Sequence, residues 1–255
     1  MFARLITSLR TFGIHFSIGL IVLAFPAFLI FNLWFPYPFK YASGGIHLFW
    51  ILIAVDVIIG PLLTAIVFNP LKRSREIFFD LTFIALFQIV AFGYGLYSIS
   101  LARPVILAFE TDRFVIVSAA QVDVNKLDSA KQEFQSLSWK GPVLTGTRSP
   151  DNSEELMMSI DMSFQGVPPS ARPDWWVSYD SNRTLIQIRK KNLSSLRDLS
   201  DAHDKVIIDN VLSRADLDIS NTYYLPMVSE KDLDGWVVLL NSDNDIVGYI
   251  PIGGF

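Results

Sequence analysis

The chain contains no cysteine. That excludes disulfides, zinc thiolate sites and a thiol nucleophile, so any exported part must fold on core burial alone. Histidine is scarce, with three in 255 residues. No His-x-x-x-His site, serine–histidine pair or phosphate-binding glycine loop is present. Charge is low, at 18% of residues, and unevenly spread. Between Lys40 and Lys72 the only formal charge is Asp56. There is no internal repeat and no low-complexity tract.

What fills the chain instead is apolar. It is 51% hydrophobic, with a mean hydropathy of +0.37. The apolar residues concentrate in the first hundred positions. Gly13 to Phe35, Gly44 to Phe68 and Phe78 to Ser100 each reach the roughly 20 residues that a membrane-spanning helix needs. Pro36-Tyr37-Pro38 and Asn69-Pro70 end the first two, because proline lacks the amide donor and restricts its predecessor. Trp34, Tyr37, Tyr41 and Trp50 gather near the first connector, at the depth aromatic rings favour. The first apolar region is longer than that of a signal peptide and lacks a small-x-small cleavage site, so it reads as a retained helix.

Lys and Arg set the direction. Arg4 and Arg10 precede the first helix, Lys72, Arg73 and Arg75 follow the second, and Lys40 stands alone between the first and second. The positive-inside rule places the N-terminus and the 72–75 loop in the cytoplasm. Three crossings then carry the rest across, which in a two-membrane bacterium means the periplasm. The expected architecture is a three-helix transmembrane bundle over residues 1–103 and an extracytoplasmic α+β domain over 104–255.

The second part holds 14 basic and 22 acidic residues. An acidic domain with no basic stripe is a poor nucleic-acid binder, and its charge opposes adsorption to anionic lipid. Val105–Phe109 and Phe114–Val117 suit a hairpin, as do Trp236–Leu240 and Ile246–Tyr249. A short helix is expected over Asp128–Leu137, capped by Asp128. Another should start at Ser149-Pro150-Asp151, burying Leu156, Met157, Ile160 and Phe164. Two or three short helices should occupy Thr184 to Arg214.

Asp56 is the residue that asks most of the fold. A lone acid at mid-bilayer costs about 2.5–3.5 kcal/mol on insertion scales, so it needs a protein interior, a proton or a partner. Gly60 and Thr64 follow it at helical spacing on one face, and Pro61 frees a carbonyl there. Three readings stand: Asp56 meets Gln88 of the third helix at similar depth, it meets a partner helix, or it relays protons. His15 and Asp80 sit at matching depth near the inner face, where two readings stand: they pair, or both face the headgroups. His47 and Arg103, near the outer face, are candidates for meeting an acidic group on a partner. Trp175 and Trp176 follow a proline-rich loop and make a contact patch if exposed, core if buried. His203 beside Asp204 reads as a solvated helix start.

The chain resembles the type IV pilin accessory proteins, the TfpX/TfpZ family. The resemblance rests on Phe12-Gly-Ile-His-Phe16, Asp56-Val-Ile-Ile-Gly-Pro-Leu-Leu-Thr64 and Val67-Phe-Asn-Pro70. Tyr94-Gly-Leu-Tyr97, Ala102-Arg-Pro104 and Phe109 to Ser118 continue it. Tyr224-Leu-Pro226 and Gly248 to Phe255 close it. It implies a bacterial inner-membrane protein, without cofactor or catalytic residue, that binds a major type IV pilin and helps it reach the pilus assembly machinery. The alternative is a structural accessory subunit of another envelope complex. An intramembrane aspartyl protease is disfavoured, since its two carboxylates must share a proton while Asp56 and Asp80 should differ in depth by more than ~10 Å.

Overall fold

The computed structural model describes residues 2–69 and 71–255, with side chains from residue 7 onward. It divides into two compact units. One comprises the chain up to Lys40 together with Gly44–Ala102, and the other comprises Arg103–Phe255 together with Tyr41–Ser43.

The first unit is built on three helices long and apolar enough to cross a membrane: Thr7–Trp34, Gly45–Val67 and Ser74–Ala102. The chain is thus a multi-pass membrane protein. Helix α1 (Phe2–Leu29) continues into a π turn over Ile30–Trp34. Its helical span begins earlier than the apolar run because the polar residues at its head do not stop a helix, only its burial in hydrocarbon. Helix α2 (Gly45–Val67) follows Gly44, whose φ of 76° lies in the left-handed region that glycine enters without a Cβ clash. Gly45 is also obligatory, because a Cβ there would fall on the ring of fully buried Phe35. Helix α3 (Ser74–Ala102) starts after a turn in which Lys72 pairs with Asp80 at 2.6 Å.

Helix α2 is the central member. A third of its span is buried, against 11% for α1 and 6% for α3. The apolar core of this unit gathers Leu23, Ile30 and Phe35 with Phe49, Leu52, Val57 and Ile99, and Phe31 meets Phe49 edge to face at 4.7 Å. Gly95 lets α3 close on α2, since a Cβ there would overlap the end of Leu52.

The second unit is α+β, with a mixed eight-stranded sheet. Its strands are β1 (Pro104–Glu110), β2 (Arg113–Ser118), β3 (Val143–Thr147), β4 (Trp176–Ser178), β5 (Lys191–Asn192), β6 (Tyr223–Val228), β7 (Trp236–Leu240) and β8 (Ile246–Ile250). The order is β4-β3-β1-β2-β6-β7-β8, with β5 paired to β6. The two expected hairpins, β1–β2 and β7–β8, are both present and antiparallel. The parallel pairings of β3 to β1 and β6 to β2 join them into one sheet. One apolar cluster packs Val105, Ile106, Ala108 and Val117 with Phe134, Ala171 and Trp176. Another packs Tyr224, Val237, Leu239 and Ile250 with Leu193, Ile208 and Leu212 of the helices that follow β5.

Helices here are α4 (Ser153–Phe164), α5 (Arg183–Arg189), α6 (Leu193–Leu199) and α7 (Ala202–Ala215). His203 lies exposed in the first turn of α7, which Asp201 caps. Two sequence expectations fail. In place of a helix over 128–137 there are two 3-10 turns, Val124–Ser129 and Gln132–Phe134, and Asp123 caps the first. Local Asp and Ser side chains compete with the ladder there and favour short turns. Helix α4 starts close to the expected place, but at Ser153 behind an Asn152 cap, so Pro150 lies before the helix rather than in its first turn, and it presents the other face. Leu156, Met157 and Ile160 are largely exposed and Phe164 is 87% exposed. The inward stripe is instead Glu155, Ser159 and Met162, at i, i+4 and i+7. Arg148 grips both oxygens of Glu155 at 3.0 and 2.6 Å. Arg172 donates to Ser159 Oγ at 2.5 Å and contacts Met162 Sδ at 3.3 Å. A polar stripe outbids the apolar one because two arginines are already held beneath it.

The Arg148 hydrogen bond, with help from the Asp151 amide, pulls the Glu155 carboxyl from 4.5 down to about 2. A folded-state value below the unfolded one stabilises the fold above about pH 4.5 and loses that contribution as pH falls toward 2. Urea unfolding of the full chain in micelles should therefore show Glu155→Gln weaker than the parent by a constant margin from pH 7 to 5. That margin should close between pH 4.5 and 2; a margin still intact at pH 2 would mean the ion pair is not its source.

Candidate functional site

The strongest local irregularity lies in the middle of α2, where Asp56 stands. The helix is α over Gly45–Ile53, π over Ala54–Ile59 and α again from Gly60. In the π register Gly60 N–H donates to Val55 O, five residues back. The next bond of that register would run from residue 61 to the Asp56 carbonyl. Residue 61 is proline and has no N–H. The orphaned Asp56 carbonyl is served from α3 instead: Gln88 Nε2 donates to it at 3.1 Å. In hydrocarbon, where no water can take that place, such a substitute is required.

Gly60 is what lets the amide in. A Cβ at Gly60 would fall on the Gln88 carboxamide. Thr64, one turn further, is 2% exposed and shares a 2.7 Å hydrogen bond with His15 Nδ1 of α1, its direction set by the imidazole tautomer. Asp56, Gly60 and Thr64 are all buried, as a shared face requires. Two of the three are covered by the chain's own helices, Gly60 by Gln88 and Thr64 by His15.

Asp56 differs. Its residue is 8% exposed, yet both carboxylate oxygens lack a hydrogen-bond partner among the described residues. Gln88 reaches its main chain and leaves its carboxyl alone. Asp56 borders a cleft of about 210 Å³, whose walls are Ile18, Gly19 and Val22 of α1 and Ala85, Ile89 and Phe92 of α3. His15 and Gln88 complete its polar part. The cleft exists because α1 and α3 each pack on α2 more than on one another. Gly19 lies on its wall, where a Cβ would stand in ordinary van der Waals contact, 3.8 Å from the Asp56 carbonyl.

The remaining sequence candidates are dispersed. His15 and Asp80 do not pair, since His15 is held by Thr64 and Asp80 by Lys72. Matching depth was a real signal, but three residues share that depth and Thr64 is the one opposite the imidazole. His47 is exposed in the first turn of α2, its amide donating to Gly44 O at 3.1 Å. Arg103 is engaged inside the second unit, with Nε on Ser138 O at 3.2 Å and its guanidinium 3.8 Å above the Trp139 ring. Trp175 and Trp176 are 3% and 2% exposed, so neither ring offers a contact patch. Trp175 is stacked between Arg148 at 4.3 Å and Arg172 at 4.1 Å. Trp176 donates its indole N–H to Ser170 O at 2.7 Å. The described residues hold no group of three or more His, Asp or Glu placed for a metal ion. The cleft is therefore mostly apolar, with His15, Asp56 and Gln88 as its polar members.

Comparison with known proteins follows the whole chain. A family model described as fimbrial assembly protein FimB matches residues 3–44. A fimbrial assembly protein of serogroup I from Dichelobacter nodosus is 34% identical over 252 residues, covering 99% of this chain and 98% of the relative. Its serogroup E1 counterpart is 33% identical with the same coverage. A shorter one, of serogroups C1 and C2, is 41% identical over half of this chain. No solved structure matches.

The geometry around Gly60 makes a direct forecast. Gly60→Ala should displace the Gln88 amide and destabilise the protein in micelles by about 1–3 kcal/mol, the usual range for overpacking. In a Gln88→Ala background the same change should cost less than about 0.5 kcal/mol, because the colliding group is gone. Equal costs in both backgrounds, read from thermal or denaturant unfolding, would show that Gly60 does not act through Gln88.

Proposed function

The chain belongs to the fimbrial assembly protein family, and from that premise we propose that it is a non-catalytic inner-membrane accessory protein that binds a type IV pilin and promotes its stability or assembly into pili. The observation that carries this reading is the extent of the similarity. It runs through membrane helices and C-terminal domain alike, over 99% of the chain, to proteins named for fimbrial assembly. The motifs shared with the TfpX/TfpZ proteins support the narrower assignment to type IV pilin accessory proteins.

Physical reasoning supports the same role. A pilin before assembly is a membrane helix joined to a globular head, and it must be kept from aggregating. A helix bundle followed at once by a folded domain offers one surface for each part, and two sites on one chain raise binding through effective concentration. The positive residues Arg4, Arg10, Lys72, Arg73 and Arg75 support a cytoplasmic N-terminus and a periplasmic C-terminal domain. Among the described residues no second acid lines the cleft beside Asp56, and Asp80 is tied to Lys72, which supports holding rather than catalysis.

Loss of the gene should lower pilin abundance or surface piliation several-fold, and restoring the full chain should reverse it. The pilin should also co-purify with the tagged chain from detergent-solubilised membranes. Normal piliation without co-purification would overturn the reading and favour an accessory subunit of another envelope complex.

A further inference from the structure

We infer that a groove along the first half of α3 is a seat for one anionic phospholipid, its phosphate held at the loop between α2 and α3 and an acyl chain laid along the helix. The groove shares no residue with the cleft at Asp56, and a lipid seat there is independent of the pilin reading.

The groove has a volume of about 530 Å³. Its apolar lining is Phe79, Phe83, Ile84 and Leu86 of α3, with Val67 at the end of α2. Phe79, Phe83 and Leu86 follow one another at helical spacing and are 58%, 72% and 60% exposed, so the groove opens on the flank of the unit. Its polar members are Asp80 and Thr82.

Cations stand at one end of it. Lys72 Nζ reaches two groove residues, Asp80 Oδ2 at 2.6 Å and the Val67 carbonyl at 3.4 Å. The Arg75 guanidinium lies 5.7 Å from the ring centroid of Phe79. Arg73, between them in the chain, is exposed. Asp80 neutralises Lys72, whereas Arg73 and Arg75 form no ion pair among the described residues. Residues 72–80 hold three basic and two acidic side chains, so the charge left over is positive and its complement is an anion.

Depth adds the tail. Helix α3 has 29 residues, roughly 43 Å of length, against a hydrocarbon thickness of about 30 Å. With the helix centred, its first four or five residues lie among the headgroups, about one turn at each end. Arg75 then stands at phosphate level and Phe79 at the hydrocarbon boundary. Leu86 lies roughly 10 Å deeper. An anion without a tail leaves the apolar lining unused, and a purely apolar segment leaves the arginines unmatched. A phospholipid of net negative charge meets both, as basic pockets between helices do for anionic headgroups generally.

Native mass spectrometry of the full chain, purified and delipidated in detergent, tests this. The probes are phosphatidylglycerol, phosphatidylcholine with the same acyl chains, and glycerol phosphate as a headgroup without a tail. The expected result is one retained phosphatidylglycerol per chain, held roughly fivefold more tightly than phosphatidylcholine, the gain from one matched charge near a membrane surface. Glycerol phosphate should not displace it. Arg73→Gln combined with Arg75→Gln should bring the two lipids level. Thr82→Phe, which puts bulk midway along the groove and leaves every charge in place, should weaken phosphatidylglycerol retention as strongly. Equal retention of both lipids by the parent chain, or displacement by glycerol phosphate, would overturn the inference without recourse to a variant. Loss on removing the arginines but none with Thr82→Phe would overturn it too, since that is adsorption to a basic loop. A chain that co-purifies with pilin yet shows no lipid preference leaves the pilin reading intact and ends this one.

Discussion

The membrane unit turns on one missing hydrogen. Pro61 has no amide proton, and the π turn before it shifts the loss onto the carbonyl of Asp56. Soluble proteins leave such a carbonyl to water, and a bilayer core offers none. Gln88 supplies the donor from α3, and that bond fixes the facing of α3 on α2. Gly60 must then be glycine, because the amide occupies the space of its Cβ. One turn further along α2, His15 and Thr64 fix α1. With both outer helices committed to the central one, a gap is left between them, and Asp56 borders it.

That arrangement separates the two polar parts of one residue. The main chain of Asp56 is part of the scaffold and its carboxyl is not. The cost of placing an acid at mid-membrane is a few kcal/mol, and it is borne by a side chain that the scaffold does not use. Buried groups of that kind gather at sites with a task. The second unit solves its own problem differently. Without cysteine it has no covalent staples, and it secures α4 and the segment before β4 by stacking Trp175 between Arg148 and Arg172.

The three spans, the two hairpins and the approximate start of α4 were legible because each has a strong local signature: an apolar run of membrane length, alternation broken by a turn, a cluster of proline and capping residues. The facing of α4 was not, because amphipathic pattern assumes that apolar residues turn inward. Here the inward position was already taken by two arginines from distant loops. The 3-10 turns after β2 were hidden by their acidic and hydroxyl residues, which read equally as helix caps. In the candidate site, that Asp56 and Gln88 meet was visible from depth alone. Which atoms they use was not, since that follows from a π turn that no spacing rule announces. The His15–Thr64 bond could have been found by noting that α1 and α2 run in opposite directions, which brings the start of one beside the end of the other.

Gln88 lies 32 residues beyond the carbonyl it serves, and this has a bearing on biogenesis. During synthesis Asp56 reaches the translocation channel 32 residues ahead of Gln88. At about 5–20 residues per second, the gap lasts roughly 2–6 s. For that interval the Asp56 carbonyl has no donor within its own chain. Helix α2 is therefore favoured to wait in a hydrated channel and to enter lipid together with α3, as a pair rather than singly.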